Sequence, residues 1–200
     1  MGDNMRRRIA YLLPAAALAV LGLALVATAQ SGSKGKAKRV RTVAQASLKS
    51  SDGSGVGVVR LVERRNGKVA VVVRARGLQP GFHGFHVHEK GVCEPPAFTS
   101  AGGHHKRDDQ THGAHAGDMA PLVATGDGKA RAAFVTDFFR ISELVSGDGS
   151  AIMIHAGRDN LANVPTRYTS GTTTGPDEET LKTGDSGSRS ACGVVQRKRR

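Results

Sequence analysis

The histidines carry the chemistry of this chain. All eight lie between His83 and His155 in a sequence of 200 residues. His86-Val87-His88 sets two imidazoles at positions i and i+2, which share one face of an extended strand and can therefore reach one metal ion. His104, His112, His115 and Asp118 follow, and His155 ends the run Ala151-Ile152-Met153-Ile154. A donor set rich in imidazole with one carboxylate suits zinc or copper, whereas calcium and magnesium favour oxygen shells.

Strands must position these donors. Val59 and Leu61 share one face of a candidate strand, with Arg60 on the other. Asn66-Gly67 reads as a hairpin turn leading into Val69, Val71, Val73 and Ala75 at period two. Gly126-Asp127-Gly128 is a second turn, before residues 130–135, and 151–155 and 191–195 read as later strands. No long helical pattern and no Trp appear in the sequence. The pattern predicts an all-β antiparallel barrel or sandwich. Two stretches, 89–121 and 156–190, resist strand assignment, and loops that long within a compact domain are usually functional.

Residues 1–29 read as an export signal: Arg6, Arg7 and Arg8, an apolar run, then the cleavage pattern Ala27-Thr28-Ala29. A retained anchor is the alternative, since the apolar run approaches spanning length. Residues 30–39 form a basic flexible linker, 40–196 the folded domain and 197–200 a basic tail. The net charge of +12 belongs mainly to the flanks, through five cations at 34–41 and four at 197–200. The tail is expected to project into water and could hold envelope polyanions. Export argues against a nucleic-acid partner. Cys93 and Cys192 are the only cysteines, and an even count in an exported chain favours a disulfide.

Five motifs, in order, carry a family likeness. Gly81-Phe82-His83-Gly84-Phe85-His86-Val87-His88-Glu89 resembles the copper-ligand strand of copper/zinc superoxide dismutases. Ser100-Ala101-Gly102-Gly103-His104 resembles the segment with the bridging histidine, and His115-Ala116-Gly117-Asp118 the end of the zinc loop. Ile154-His155 followed by Asp159 matches the last copper ligand and the aspartate behind it. Gly187-Ser188-Arg189-Ser190-Ala191-Cys192-Gly193-Val194 resembles the C-terminal signature with its arginine. The likeness, to a bacterial-type exported member, spans residues 40–196.

The resemblance implies an eight-stranded Greek-key barrel with a Cys93–Cys192 disulfide, which would stabilise by roughly 4–5 kcal/mol in the chain-entropy model. It implies copper on His86, His88, His104 and His155, and zinc on His104, His112, His115 and Asp118. Asp159 and His83 would support the ligands. Arg189 would bind the substrate anion, and Glu178, Glu179 and Lys182 in an electrostatic loop would guide it. The implied reaction is dismutation of superoxide to dioxygen and hydrogen peroxide, with His104 as the proton carrier. Two residues separate His112 from His115, fewer than in most members; donors at i and i+3 can share a metal from one helical turn. His105 is expected to be a solvated neighbour. The alternative is an exported copper/zinc-sequestering protein without dismutase activity. A homodimer is compatible with either reading.

Overall fold

Alternation of apolar and polar residues builds the strands of this chain. The computed structural model describes residues 43–198; the expected export signal, the linker and tail residues 199–200 lie outside the described residues. Nine strands form one antiparallel sheet: β1 (Ala44–Ser50), β2 (Gly55–Glu63), β3 (Val69–Ala75), β4 (Gly81–His83), β5 (Phe85–His88), β6 (Leu122–Ala124), β7 (Ala130–Thr136), β8 (Ala151–His155) and β11 (Arg189–Arg197). Their order is β4-β6-β7-β3-β2-β1-β11-β8-β5. In β2 the expected facing holds, with Val59 and Leu61 buried and Arg60 exposed.

The two ends of that order, β4 and β5, are consecutive pieces of one stretch broken at Gly84. β4 pairs with β6 and β5 with β8, so residues 81–88 join both ends and nearly close the sheet into a barrel. Counted once, the stretch makes the expected eight strands. Chain order passes from β3 across the barrel to β4 and β5, a Greek-key crossover. The break needs glycine: a Cβ on Gly84 would meet Ser186 Oγ at 2.5 Å and His86 Cε1 at 3.1 Å. Its amide donates to the Gly157 carbonyl, and its own carbonyl accepts from His155 N–H, each at 2.8 Å.

Leu48, Leu61, Val71, Phe85, Val87, Leu122, Phe139, Ile152 and Ile154 fill the barrel. Each such side chain contributes roughly 1.5–3 kcal/mol by burial. Short elements occupy the connections. A one-turn helix, Thr99–Ala101, lies in the first long loop, and α1 (Ile141–Leu144) precedes β8. The second long loop is less irregular than expected, holding a hairpin of β9 (Thr169–Ser170) and β10 (Thr173–Thr174), then α2 (Glu178–Thr183). Asp177 caps α2 by accepting from Thr180 N–H at 2.8 Å.

The expected tail begins later than the sequence suggests. Arg197 lies in β11 opposite Ala44, and the Lys198 amide donates to the Val43 carbonyl at 3.2 Å. Backbone pairing with β1 therefore takes the first residues that charge alone assigns to solvent. Among the described residues, no helix is long and apolar enough to cross a membrane.

Candidate metal centre

β5 and β8 neighbour each other, and their period-two alternation divides core from site. Phe85, Val87, Ile152 and Ile154 point into the barrel, so His86, His88 and His155 point outward, where the two long loops bury them. The first loop returns beside β5 through single bridges, His88 with His104 and His86 with Asp118. The Cys93–Cys192 disulfide, with Cα atoms 5.8 Å apart, ties that loop to β11.

Hydrogen bonding assigns the protons on the rings, because a carbonyl or carboxylate oxygen only accepts. His88 donates from Nδ1 to the Gly102 carbonyl (2.9 Å), and His155 from Nδ1 to the Gly187 carbonyl (3.0 Å). His86 donates from Nε2 to Asp159 (2.5 Å). The opposite nitrogens therefore carry lone pairs. Those of His88 and His155 face each other at 3.4 Å, an arrangement that repels unless a cation sits between them. His86 Nδ1 and His104 Nε2 are buried without a partner. Donor atoms of His86, His88, His104 and His155 all fall within 4.8 Å of one another.

A second group adjoins the first through His104. Asp118 Oδ1 lies 2.9 Å from His104 Nδ1 and 3.4 Å from Nδ1 of both His112 and His115. His112 donates from Nε2 to Asp159 (2.8 Å) and His115 from Nε2 to the Gln110 carbonyl (3.0 Å). Their Nδ1 atoms are buried without a hydrogen-bond partner. Three nitrogens and one carboxylate oxygen thus converge, the count and chemistry of a tetrahedral zinc site. The short spacing is met by turns, in place of the expected helical turn, with Asp118 Oδ2 accepting from the amides of Gly113 (2.7 Å) and His115 (3.1 Å).

Asp159 links the groups, one oxygen on His86 and the other on His112. Gly184 leaves room for this link: a Cβ there would lie 2.2 Å from His112 Nε2 and 2.6 Å from Asp159 Oδ1, and its φ is +65°. His83 lies beneath, its ring nitrogens each 2.7 Å from a carbonyl, of His155 and of Gln79. His105 is half-buried and belongs to neither group, so it is less solvated than expected.

Without metal, the electrostatics of the groups diverge. Burial lowers the His104 pKa to about 4 and that of His155 to about 3, neighbouring rings adding to the shift. His88 is also held well below its usual range by burial. His112 goes the other way: burial lowers it, but Asp118 and Asp159 outweigh that and raise it to about 9. Burial would raise both carboxylates, yet their histidine partners hold them well below the usual range.

A cavity of about 370 Å³ opens onto His88, His104, His115 and His155. Arg189 lines it, half-buried, its Nη1 donating to the Phe98 carbonyl (2.5 Å) and Nη2 to the Gly102 carbonyl (2.6 Å). Of the expected guidance residues, Glu179 and Lys182 line the cavity, while exposed Glu178 pairs with Lys182 beside it. Sequence reasoning missed Glu89 and Lys106 in the lining, and missed the carbonyls of Gly102 and Gly187 that orient rings. Backbone acceptors have no signature in residue type. Lys106 does have one, since it stands two places after His104.

Residues 56–195 match the family model for copper/zinc superoxide dismutase. The chain is 44% identical over 163 residues to a Cu-Zn superoxide dismutase of Mycobacterium tuberculosis, covering 74% of this chain and 68% of that one. It is 32% identical over 166 residues to one from Caulobacter vibrioides, covering 76% and 85%. Among solved structures it resembles a SOD-like protein from Bacillus subtilis, at 30% identity and TM-score 0.59, covering 75% of this chain and 96% of that one.

Proposed function

Because the chain belongs to the copper/zinc superoxide dismutase family, we propose that its two donor groups hold the metals as a linked pair. Copper falls to His86, His88, His104 and His155, and zinc to His104, His112, His115 and Asp118. The activity is dismutation of superoxide to dioxygen and hydrogen peroxide, with copper and zinc as cofactors. One observation carries the assignment: buried ring nitrogens converge in two adjoining groups, and His104 belongs to both, with His86 also within reach of the second.

Copper, when bound, supplies alternate one-electron oxidation and reduction of superoxide, and zinc a fixed charge beyond His104. His104 is the proton carrier. Its Nε2 has no partner while Asp118 engages its Nδ1, so a proton held at Nε2 can pass to the departing peroxide. Its depressed pKa keeps the ring neutral at neutral pH and its nitrogens ready to ligate. Arg189 seats the anion. Two of its five N–H donors are spent on carbonyls, which fix the guanidinium at the cavity wall and leave the others for substrate. Asp159 keeps His86 and His112 in register, and His83 steadies the backbone of His155. A sequestering protein would need neither the open cavity nor the anchored arginine.

Metal content and superoxide decay, measured on one purified sample, test this reading. The protein should carry both metals and dismutate. Arg189→Ala should keep copper while turnover falls by roughly one to two orders of magnitude. Copper-loaded parent protein without dismutation would make it a sequestering protein. Unchanged turnover in the variant would remove Arg189 from the mechanism.

The same proposal extends to location and partners. The Cys93–Cys192 bond and the leader-like residues 1–29 support export to the cell envelope or beyond, which fractionation of the producing cells tests. Arg197 and Lys198 are exposed, and the cationic sequence Arg197–Arg200 supports binding to envelope polyanions; retention on a polyanion column should drop for a chain ending at Gln196. Exposed Phe82 and Val123 are register partners on β4 and β6, an apolar outer face that supports a homodimer, which sedimentation tests.

A further inference from the structure

We propose that the outer face of β3 and β7 is a binding site for a linear phosphodiester polymer. In the strand order this face lies across the barrel from β5 and β8. The inference rests on neither the metal centre nor the terminal cations, and it gives a polyanion partner a seat on the folded domain itself.

Strand register builds the site. β3 and β7 are antiparallel neighbours, and Arg74 stands directly opposite Arg131. Arg76 follows Arg74 by two residues and Lys129 precedes Arg131 by two, so the four side chains share the outer face. The Arg76 amide donates to the Val56 carbonyl at 2.8 Å, which carries the β2–β3 ladder one residue past the end of β3. All four cations are exposed. They form a grid about 5 Å wide across the strands and about 7 Å long along them. Beside the grid, β2 contributes Gly55 and Gly57, so no side chain fills the surface there. A Cβ on Gly57 would lie 2.2 Å from the Arg74 carbonyl oxygen. The result is a concavity of about 380 Å³ lined by the four cations and the two glycines.

The charge in this hollow is uncompensated. No carboxylate lines it. Lys129 pairs with Asp127 at its edge, at 2.6 Å, but among the described residues Arg74, Arg76 and Arg131 are in no ion pair. Like charges directly opposite on neighbouring strands are destabilising, so the Arg74–Arg131 pair works against the sheet unless an outside anion offsets it. Guanidinium forks match phosphate oxygens in geometry as well as charge. The grid is longer than one phosphate, which favours a repeating anion. Its concave form favours a single chain over a flat bilayer.

The probe is labelled poly(glycerol phosphate), its binding followed by anisotropy across ionic strength. The parent is compared with Arg74→Gln/Arg131→Gln and with Arg64→Gln/Arg65→Gln, a control that removes the same charge from exposed residues of the β2–β3 turn. At low ionic strength the first pair should weaken binding about tenfold and lower the log–log salt slope by roughly 0.7 per cation removed, whereas the control should change affinity by about twofold or less. Arg74→Lys/Arg131→Lys should retain most of the affinity. On the unmodified protein, the polymer should slow phenylglyoxal reaction at Arg74 and Arg131 but not at Arg64 and Arg65, a readout that requires no variant to fold. Equal losses in the two glutamine pairs, or equal protection of the four arginines, overturn the proposal. So does binding to phosphatidylglycerol vesicles without binding to the free polymer. If affinity falls only for a chain ending at Gln196, the terminal cations alone hold the polymer and this site is overturned.

Discussion

The two halves of the metal centre are built by different means. On the side proposed for copper, His86, His88 and His155 stand on β5 and β8, whose inward faces are packed in the barrel. Their outward aim follows from strand period and core packing. On the side proposed for zinc, all four donors, His104 included, come from one loop, and the turn is drawn around Asp118 by hydrogen bonds. The contrast is between a half fixed by apolar burial and a half fixed by a charged oxygen. Protonation follows a different division: His88, His155 and loop-borne His104 are pushed towards neutrality, and His112 towards its charged form.

Removing one donor from each half should give the largest separation. We expect His155→Gln to lower dismutation by about a thousandfold or more while zinc remains, because the redox metal loses a ligand. His115→Ala should lose zinc yet retain roughly a tenth of the activity or more. Paired metal analysis and superoxide decay check both, and equal losses would erase the distinction.

Asp159→Asn probes the link. An amide cannot accept from both His86 and His112 with oxygen, so one ring loses its orienting partner. Competitive chelation should show zinc affinity reduced about 10- to 100-fold, with copper affinity less affected. A larger effect on copper would mean that the carboxylate serves the strand half first.

The smallest effect is in pH. With His112 raised to about 9, zinc displaces about one proton at neutral pH, and its apparent affinity should rise about tenfold per pH unit up to pH 9. Titration calorimetry in buffers of different ionisation enthalpy counts that proton. His104 and His155, lowered to about 4 and 3, should add no such slope to copper binding near neutrality. In chelated protein the shifts act oppositely on stability. The raised His112 contributes fully below pH 6.5 and loses its contribution as pH rises through 9. The depressed His104 and His155 contribute fully above 6.5 and lose theirs as pH falls through 4 and then 3. Chemical denaturation of metal-free protein across this range checks the sign.

The copper half was the more legible in the sequence, for the same reason that it is the more rigid. His86-x-His88 obeys a local period, and Ala151–His155 reads directly as a strand, so both were visible without long-range information. The turns at Asn66-Gly67 and Gly126-Asp127-Gly128 were legible through the positive φ that glycine supplies at Gly67 and Gly128. The zinc half was readable only through family resemblance, since nothing local says that Asp118 Oδ1 will gather three rings. The division of residues 81–88 was hidden as well. A strand that changes partners at Gly84 looks continuous until Ser186, about a hundred residues later, is packed against it.

That change of partners bears on aggregation. A sheet whose two margins are satisfied by the same eight residues offers a foreign chain little ladder to extend. Until residues 81–88 dock, however, β6 and β8 would both present unpaired backbone to solvent. The segment that carries His86 and His88 is therefore also the closure of the sheet. Metals bound there would favour the state in which sticky margins are covered, so a chelated or newly made chain should be the form most prone to clump.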